Sequence, residues 1–138
     1  MRFVCDTNVV ISGLLWSGSP ARLIAKARSG DVQLITSEPL RAELERVLRR
    51  PTFVARMDSA RTSPSELVAS YAELAAIVEP GPLNAISRDR DDDVVIATAI
   101  SGRADAIVSG DDDLLSLIRV RSIRIMTARD ALSWLDER

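Results

Sequence analysis

Acidic side chains recur in this sequence at positions that a fold of strands and helices could bring together. Asp6 follows a short apolar run, Glu43 lies in a helical pattern, and acidic triplets occupy residues 91–93 and 111–113. Clustered carboxylates repel one another, and their pKa values rise unless a cation neutralises the charge. An oxygen-only cluster suits Mg²⁺ or Mn²⁺ better than zinc. Because such an ion activates water and braces a phosphate, metal-dependent phosphodiester hydrolysis is the first hypothesis.

The composition removes several alternative chemistries. Histidine is absent, and 17 of the 18 basic residues are arginine, with Lys26 the sole lysine. A histidine base or ligand is therefore excluded, which removes serine hydrolases with a histidine triad and most catalytic zinc sites. The net charge of −2 is not typical of a protein that binds nucleic acid by bulk charge alone.

The elements that must position the acids alternate along the chain. Strands are predicted at residues 2–5, 32–35, 76–78, 105–108 and 123–126. Helices are predicted at residues 21–28, 37–50, 63–75, 92–101 and 127–134, with a loop at 79–91. This alternation predicts a three-layer, Rossmann-like α/β fold, in which a five-stranded parallel sheet carries helices on both faces.

Length and composition predict how the chain is organised. The 138 residues fit one domain over 1–138. No apolar run approaches the roughly 18 residues of a membrane span, and the first residues lack the apolar stretch of a signal peptide. The single cysteine, Cys5, cannot form an internal disulfide. We therefore expect a soluble, cytoplasmic protein without a membrane association.

The predicted topology places the acids at one edge of the sheet. Ligands of an open parallel sheet bind beyond the carboxyl ends of its strands, where Asp6 and Asp111 would be neighbours. On the helix after Ser37, Glu43 borders an apolar stripe and faces inward, whereas Glu45 faces water. The triplet at 91–93 opens an apolar helix whose first turn can direct a carboxylate to the same edge.

Each acid also has a purely structural interpretation. Asp after a strand often caps a turn or helix, and Asp in a first helical turn is favoured by the helix dipole. Only the joint pattern, with several acids at one predicted edge, favours a site. Five arginines could hold phosphates or form a solvated helix face: Arg41, Arg46, Arg49, Arg50 and Arg56.

Four segments, in order, resemble the motifs of PIN-domain nucleases. They are FVCDTNVV around Asp6, SEPLRAELERVL around Glu43, DRDDDVVIATA around Asp93, and ADAIVSGDDDLL around Asp111. The sequence is similar in particular to VapC-like toxins of bacterial and archaeal toxin–antitoxin pairs. The resemblance implies a PIN-like fold and cleavage of single-stranded RNA that depends on Mg²⁺ or Mn²⁺. It also implies a small antitoxin as partner and a homodimer.

The resemblance assigns roles to seven residues. The catalytic and metal-binding acids it implies are Asp6, Glu43, Asp93 and Asp111. The residues it places in support are Asn8, Ser109 and Asp113. The family usually has Thr where Ser109 stands, which keeps the hydroxyl. The run of apolar residues after the acidic triplet favours Asp93 over Asp92 as the third acid, and the choice between the two stays open.

Three other classes of protein share some of these sequence features. A phospho-receiver domain also binds Mg²⁺ at strand ends, but it needs a lysine after a late strand, and Lys26 lies in the first half of the chain. A haloacid-dehalogenase phosphatase needs a second Asp two residues after the first, where this chain has Asn8. A PIN-fold module that binds RNA or a partner without catalysis stays open.

Overall fold

Six strands form one sheet in the computed structural model, which describes residues 1–82 and 90–138. They are β1 (Arg2–Cys5), β2 (Gln33–Thr36), β3 (Ala76–Ile77), β4 (Ala106–Val108), β5 (Arg119–Val120) and β6 (Ile123–Met126). Their order is β3-β2-β1-β4-β6-β5, and all pairs are parallel except β5 with β6. The prediction of an α/β fold with a parallel sheet is confirmed. Most of the loop predicted at 79–91 lies outside the described residues.

The sheet has one strand more than the five predicted. The additional strand, β5, forms a hairpin with β6 in which Val120 pairs with Ile123. Hairpin turns of this length favour Asn and Gly because they need a positive φ, but here Arg121 takes that conformation with φ 55°. The sequence therefore carries no turn signal at this position, and two residues are too few for a strand pattern.

Eight α-helices cover the sheet within the described ranges. They are α1 (Thr7–Leu15), α2 (Ser19–Arg28), α3 (Glu38–Leu48), α4 (Val54–Ser59), α5 (Pro64–Leu74), α6 (Arg90–Ser101), α7 (Asp112–Leu115) and α8 (Ala128–Asp136). Helices α1, α4 and α7 are absent from the sequence prediction. The first half of α1 contains Val9, Val10 and Ile11, whose β-branched side chains favour strands over helices. None of the described helices is long and apolar enough to cross a membrane.

Two hydrophobic clusters pack against opposite faces of the sheet. Along β1, Phe3 and Cys5 belong to one cluster and Val4 to the other, as the two-residue period of a strand requires. The first cluster includes buried residues of α1, α2, α3, α5 and α8, and the second includes those of α6 and α7. Since helices bury both faces, the three-layer arrangement is confirmed.

A buried polar contact joins the start of α3 to α6. The hydroxyl of Thr98 donates to the carbonyl of Val94 at 2.8 Å, and Ser37 Oγ lies 2.9 Å from Thr98 Oγ1. Since Thr98 has already donated its hydroxyl hydrogen, Ser37 is the donor to Thr98. Both residues have no exposed surface. The bond therefore fixes the relative position of two helices that carry acids of the candidate site.

Candidate active site

Asp6 stands where β1 ends and α1 begins. Its backbone N–H donates to the carbonyl of Val108 at 3.0 Å, which aligns the end of β1 with the end of β4. Its side chain caps α1, because Oδ1 accepts the backbone N–H of Val9 at 3.0 Å. Asp6 is only 8% exposed. The cap predicted as an alternative role is thus real, and it holds the carboxylate in one orientation.

Ser109 connects Asp6 to the loop after β4. Its hydroxyl donates to Oδ2 of Asp6 and accepts the backbone N–H of Asp111 at 2.9 Å. Its own N–H donates to the carbonyl of Met126 at 2.9 Å, so β6 also fixes its position. Ser109 is 1% exposed. Ser109 therefore connects the carboxylate of Asp6 to the backbone of Asp111.

The environment of Asp6 disfavours its charged form. Burial raises the pKa of Asp6 above its ordinary value, and the nearby charge of Asp111 adds to that rise. Hydrogen bonds from Ser109, from the Val9 N–H and from the Gly110 N–H act in the opposite direction without cancelling it. A cation beside Asp6 would favour the charged carboxylate.

Three aspartates place their carboxylates close together near the start of α7. Asp92, Asp111 and Asp113 each place a carboxylate oxygen within 4.8 Å of the others. Asp111 caps α7 by accepting the N–H of Asp113 at 2.9 Å, and Asp92 is 5% exposed. These three carboxylates offer the hard oxygen ligands that Mg²⁺ and Mn²⁺ prefer. The donor set therefore fits a divalent cation.

A cavity of about 500 Å³ is lined both by Asp6 and by two of these three aspartates, Asp92 and Asp111. Its lining residues are Asp6, Thr7, Asn8, Glu43, Arg46, Val47, Arg50, Asp92, Val95, Gly110 and Asp111. The cavity thus joins the carboxyl ends of β1 and β4 to the sides of α3 and α6. Of the seven residues predicted for the site, four line it: Asp6, Asn8, Glu43 and Asp111. Ser109 and Asp113 contact these residues from outside the lining.

The structure places the two candidates for the third acid differently. Asp92 lines the cavity, whereas the half-buried Asp93 does not. Val95 and Ile96, three and four residues after Asp92, are both buried, so Asp92 lies on the inward face of α6. Asp93 is rotated by about 100° around the same helix. The geometry therefore favours Asp92, the alternative that the sequence left open.

Helix α3 presents two of its glutamates differently. Glu43 lines the cavity, whereas Glu45 pairs with Arg49 at 2.9 Å and faces outward. The apolar stripe of α3 predicted this difference, since Leu44 and Val47 are buried on the sheet side. Glu43 thus adds a carboxylate from α3 to the cavity that Asp6 and Asp111 also line.

The five arginines of this region divide into two sets. Arg41 pairs with Glu38, Arg49 pairs with Glu45, and Arg56 donates to the carbonyl of Leu15 at 2.6 Å. The other two line the cavity, and neither forms an ion pair with any described residue: Arg46 and Arg50. The helical spacing of Glu43, Arg46 and Arg50 could have identified this pair from the sequence, since residues three and seven apart share a face. Two guanidinium groups at the wall of an acidic cavity suit phosphate binding.

Residues 2–113 match the PIN domain family, and the chain therefore belongs to that family. PIN domains are typically nucleases that use divalent metal ions and bind nucleic acids, which agrees with the acidic cavity. The chain is also similar to a solved structure described as the T. brucei RRP44 PIN domain, at 14% identity and a TM-score of 0.47. That likeness covers 99% of this chain and 81% of the other. No curated protein matches the chain.

Proposed function

We propose that residues 1–138 form a single metal-dependent endoribonuclease domain that hydrolyses phosphodiester bonds of single-stranded RNA. The observation that carries the proposal is the cavity at the carboxyl edge of the sheet. It combines Asp6, Glu43, Asp92 and Asp111 with two arginines that have no described ion-pair partner. Carboxylates suit a cation and arginines suit phosphates, so the cavity has a chemical match for both parts of such a reaction.

The metal we propose is Mg²⁺ or Mn²⁺. Asp92, Asp111 and Asp113 are the residues that would hold it, because their carboxylate oxygens already lie within 4.8 Å of one another. When bound, the ion supplies a Lewis acid for the phosphate and makes a water molecule more acidic. A metal-based mechanism also agrees with the absence of histidine, which leaves no imidazole to act as a base.

Other residues in and around the cavity orient the acids and bind the phosphates of the substrate. Ser109 and the Val9 N–H hold Asp6 in one orientation and favour its charged form. Glu43 adds a carboxylate from α3, and Arg46 and Arg50 hold phosphate groups against the repulsion of the acids. Asn8 lines the same cavity beside these acids and would orient them through hydrogen bonds.

The proposed activity can be tested on purified protein with a fluorescent single-stranded RNA. We expect cleavage with Mn²⁺ or Mg²⁺ and none after removal of metal with EDTA. Asp111→Asn should abolish cleavage, while Asp130→Asn, at a solvent-exposed acid of α8, should not. Cleavage that survives complete removal of metal would overturn the proposal. Tight binding of RNA without cleavage by the metal-loaded protein would instead identify a silent PIN-fold module.

The biological role we propose is that of a toxin from a toxin–antitoxin pair. The support is the resemblance of the segments around Asp6, Glu43, Asp93 and Asp111 to VapC-like toxins. In that role the protein acts on RNA in the cytoplasm as a homodimer and is inhibited by a small antitoxin protein. Expression in a bacterial host should then arrest growth, whereas the Asp111→Asn form should not. Equal harmlessness of both forms, with RNA cleavage intact in vitro, would remove the toxin role.

A further inference from the structure

A second cavity lies beside the first at the same edge of the sheet. It has a volume of about 300 Å³ and is formed by α1, the start of α2, the loop after β4 and the start of α8. Its lining includes Asn8, Pro20, Gly110 and Arg129. Two of them, Asn8 and Gly110, also line the first cavity. The two cavities are therefore neighbours with a common border.

Gly110 contributes no side chain to the border between the two cavities. A Cβ atom placed on Gly110 would meet no atom within 4 Å, and its φ is outside the left-handed region. The fold therefore does not require glycine here for backbone conformation or for internal packing. A side chain at this position would instead project into the open space over the border between the cavities. Gly110 and the next residue, Asp111, both line the first cavity, so this space adjoins the acids.

Positive charge lies at both ends of the combined surface. Arg46 and Arg50 line the first cavity, and Arg129 lines the second. Among the residues that the structure describes, none of these three guanidinium groups has an ion-pair partner. Along the carboxyl edge of the sheet, β1 and β4, which lead to Asp6 and Asp111, lie between β2, which leads into α3, and β6, which leads into α8. A cation held by acids in the middle, with arginines on both sides, matches the repeating negative charge of a nucleic-acid backbone.

We propose that the substrate strand crosses Gly110 from the first cavity into the second, where Arg129 binds one of its phosphates. The proposal rests on the proposed nuclease function and extends it. The substrate is a single strand that continues on both sides of the bond to be cleaved, which favours cleavage inside a strand. Arg129 is a substrate-binding residue in this arrangement, and Gly110 keeps the passage open.

The first experiment measures how salt affects RNA binding. Fluorescence anisotropy of a labelled uridine dodecanucleotide, with the cleavage-deficient Asp111→Asn protein, gives the dependence of affinity on salt. The logarithm of the association constant falls as the logarithm of the salt concentration rises. Loss of one phosphate contact makes this negative slope less steep by about 0.7 for a single strand. We expect that reduction, with a several-fold loss of affinity, for Arg129→Ala. Arg28→Ala is the matched control, because this exposed arginine lies at the far end of α2 from Pro20.

The second experiment tests the passage over Gly110. Gly110→Leu should fold normally, because a Cβ meets open space, and it should weaken binding of the dodecanucleotide. Combined with Arg129→Ala, it should give no further loss, since a strand stopped at the border does not reach Arg129. Such a double-mutant cycle isolates the connection between the two positions. Independent, additive losses would contradict the proposed path.

The outcomes separate this inference from the proposed function. If wild-type protein cleaves RNA and Arg129→Ala keeps the wild-type salt slope, the strand does not enter the second cavity and the inference is wrong. If wild-type protein never cleaves RNA but its binding depends on Arg129 and Gly110, the path stands as a binding surface and the nuclease proposal fails. A slope that changes equally for Arg28→Ala would show non-specific attraction and would also overturn the inference.

Discussion

Ser109 donates its hydroxyl hydrogen to the carboxylate of Asp6, although 103 positions separate the two residues in the chain. The same oxygen accepts the N–H of Asp111, so one side chain sets the spacing between two acids of the cavity. It also offsets part of the effect of burial on the pKa of Asp6. Substitutions of Ser109 and Asp6, with one matched pair on α3 and another on α6, test this site.

Two substitutions of Ser109 distinguish the role of its hydroxyl group from the role of its size. Ser109→Ala should raise the pKa of Asp6 further, because the bond that favours the charged form is lost while burial remains. The acid limb of the pH profile of kcat/KM should then move to higher pH, and stability should fall by about 1–3 kcal/mol. Ser109→Thr keeps the hydroxyl and should stay close to wild type. Equal behaviour of the two variants would contradict this role.

Asp6→Asn tests the cost of burying a charge. Because the folded pKa of Asp6 is raised, its contribution to stability is fully present below the unfolded pKa and is lost as pH rises through the folded pKa. In metal-free buffer at neutral pH, Asp6→Asn should therefore melt at the same temperature or higher. The difference should shrink as pH falls and wild-type Asp6 becomes protonated. Thermal melts across a pH series in EDTA measure this.

Adding metal should reverse that order. Wild-type protein gains stability from Mn²⁺ by binding, and Asp6→Asn should gain less because a nearby negative charge is missing. A strongly destabilised Asp6→Asn protein in metal-free buffer would instead indicate that capping of the Val9 N–H is the main role of Asp6.

Glu43 and Glu45 provide a matched pair on α3. Glu43→Gln keeps size and hydrogen bonding but removes a negative charge from the cavity wall. It should lower RNA cleavage by orders of magnitude and weaken Mn²⁺ binding measured by calorimetry. Glu45→Gln breaks only the exposed pair with Arg49, which is worth less than about 1 kcal/mol. Its cleavage rate should therefore stay at the wild-type level, and similar losses in both variants would contradict the site.

Substitutions of Asp92 and Asp93 distinguish which of the two supplies the third acid of the site. Asp92→Asn removes one of the three clustered carboxylates and should abolish cleavage with Mg²⁺. Asp93→Asn leaves that cluster complete and should retain most of the activity. RNA cleavage and Mn²⁺ affinity, measured side by side, check the comparison. The opposite result would support the register of α6 that the sequence alone favours.

The sequence predicted the position of most acids because each follows a strong local pattern. Asp6 and Asp111 follow apolar strand segments, and the stripe of α3 separates Glu43 from Glu45. The acidic triplet in the first turn of α6 gave no such signal, since neighbouring aspartates are equivalent until the buried face of the helix is known. That face is set by packing of Val95 and Ile96 against β1, β2 and β4, which is a tertiary contact.

The elements missing from the sequence prediction lack local signals for a physical reason. The cap of α1 is Asp6 itself, so its role as a strand end hides the start of the helix, and the following β-branched residues resemble a strand. Helix α7 has four residues and depends on its cap, Asp111, and on the buried Leu114. The arginine pairs behave differently: those of Arg41 and Arg49 follow helical spacing and could be predicted, whereas the contact of Arg56 with Leu15 depends on the folded chain.

The sheet is bordered by its two shortest strands. In the described chain, β3 and β5 stand at opposite edges, and each has only two residues. An exposed edge offers unpaired N–H and C=O groups to strands of other molecules, and a short edge offers few of them. At high concentration the folded protein should therefore resist aggregation by strand addition, although its four central strands are rich in valine and isoleucine.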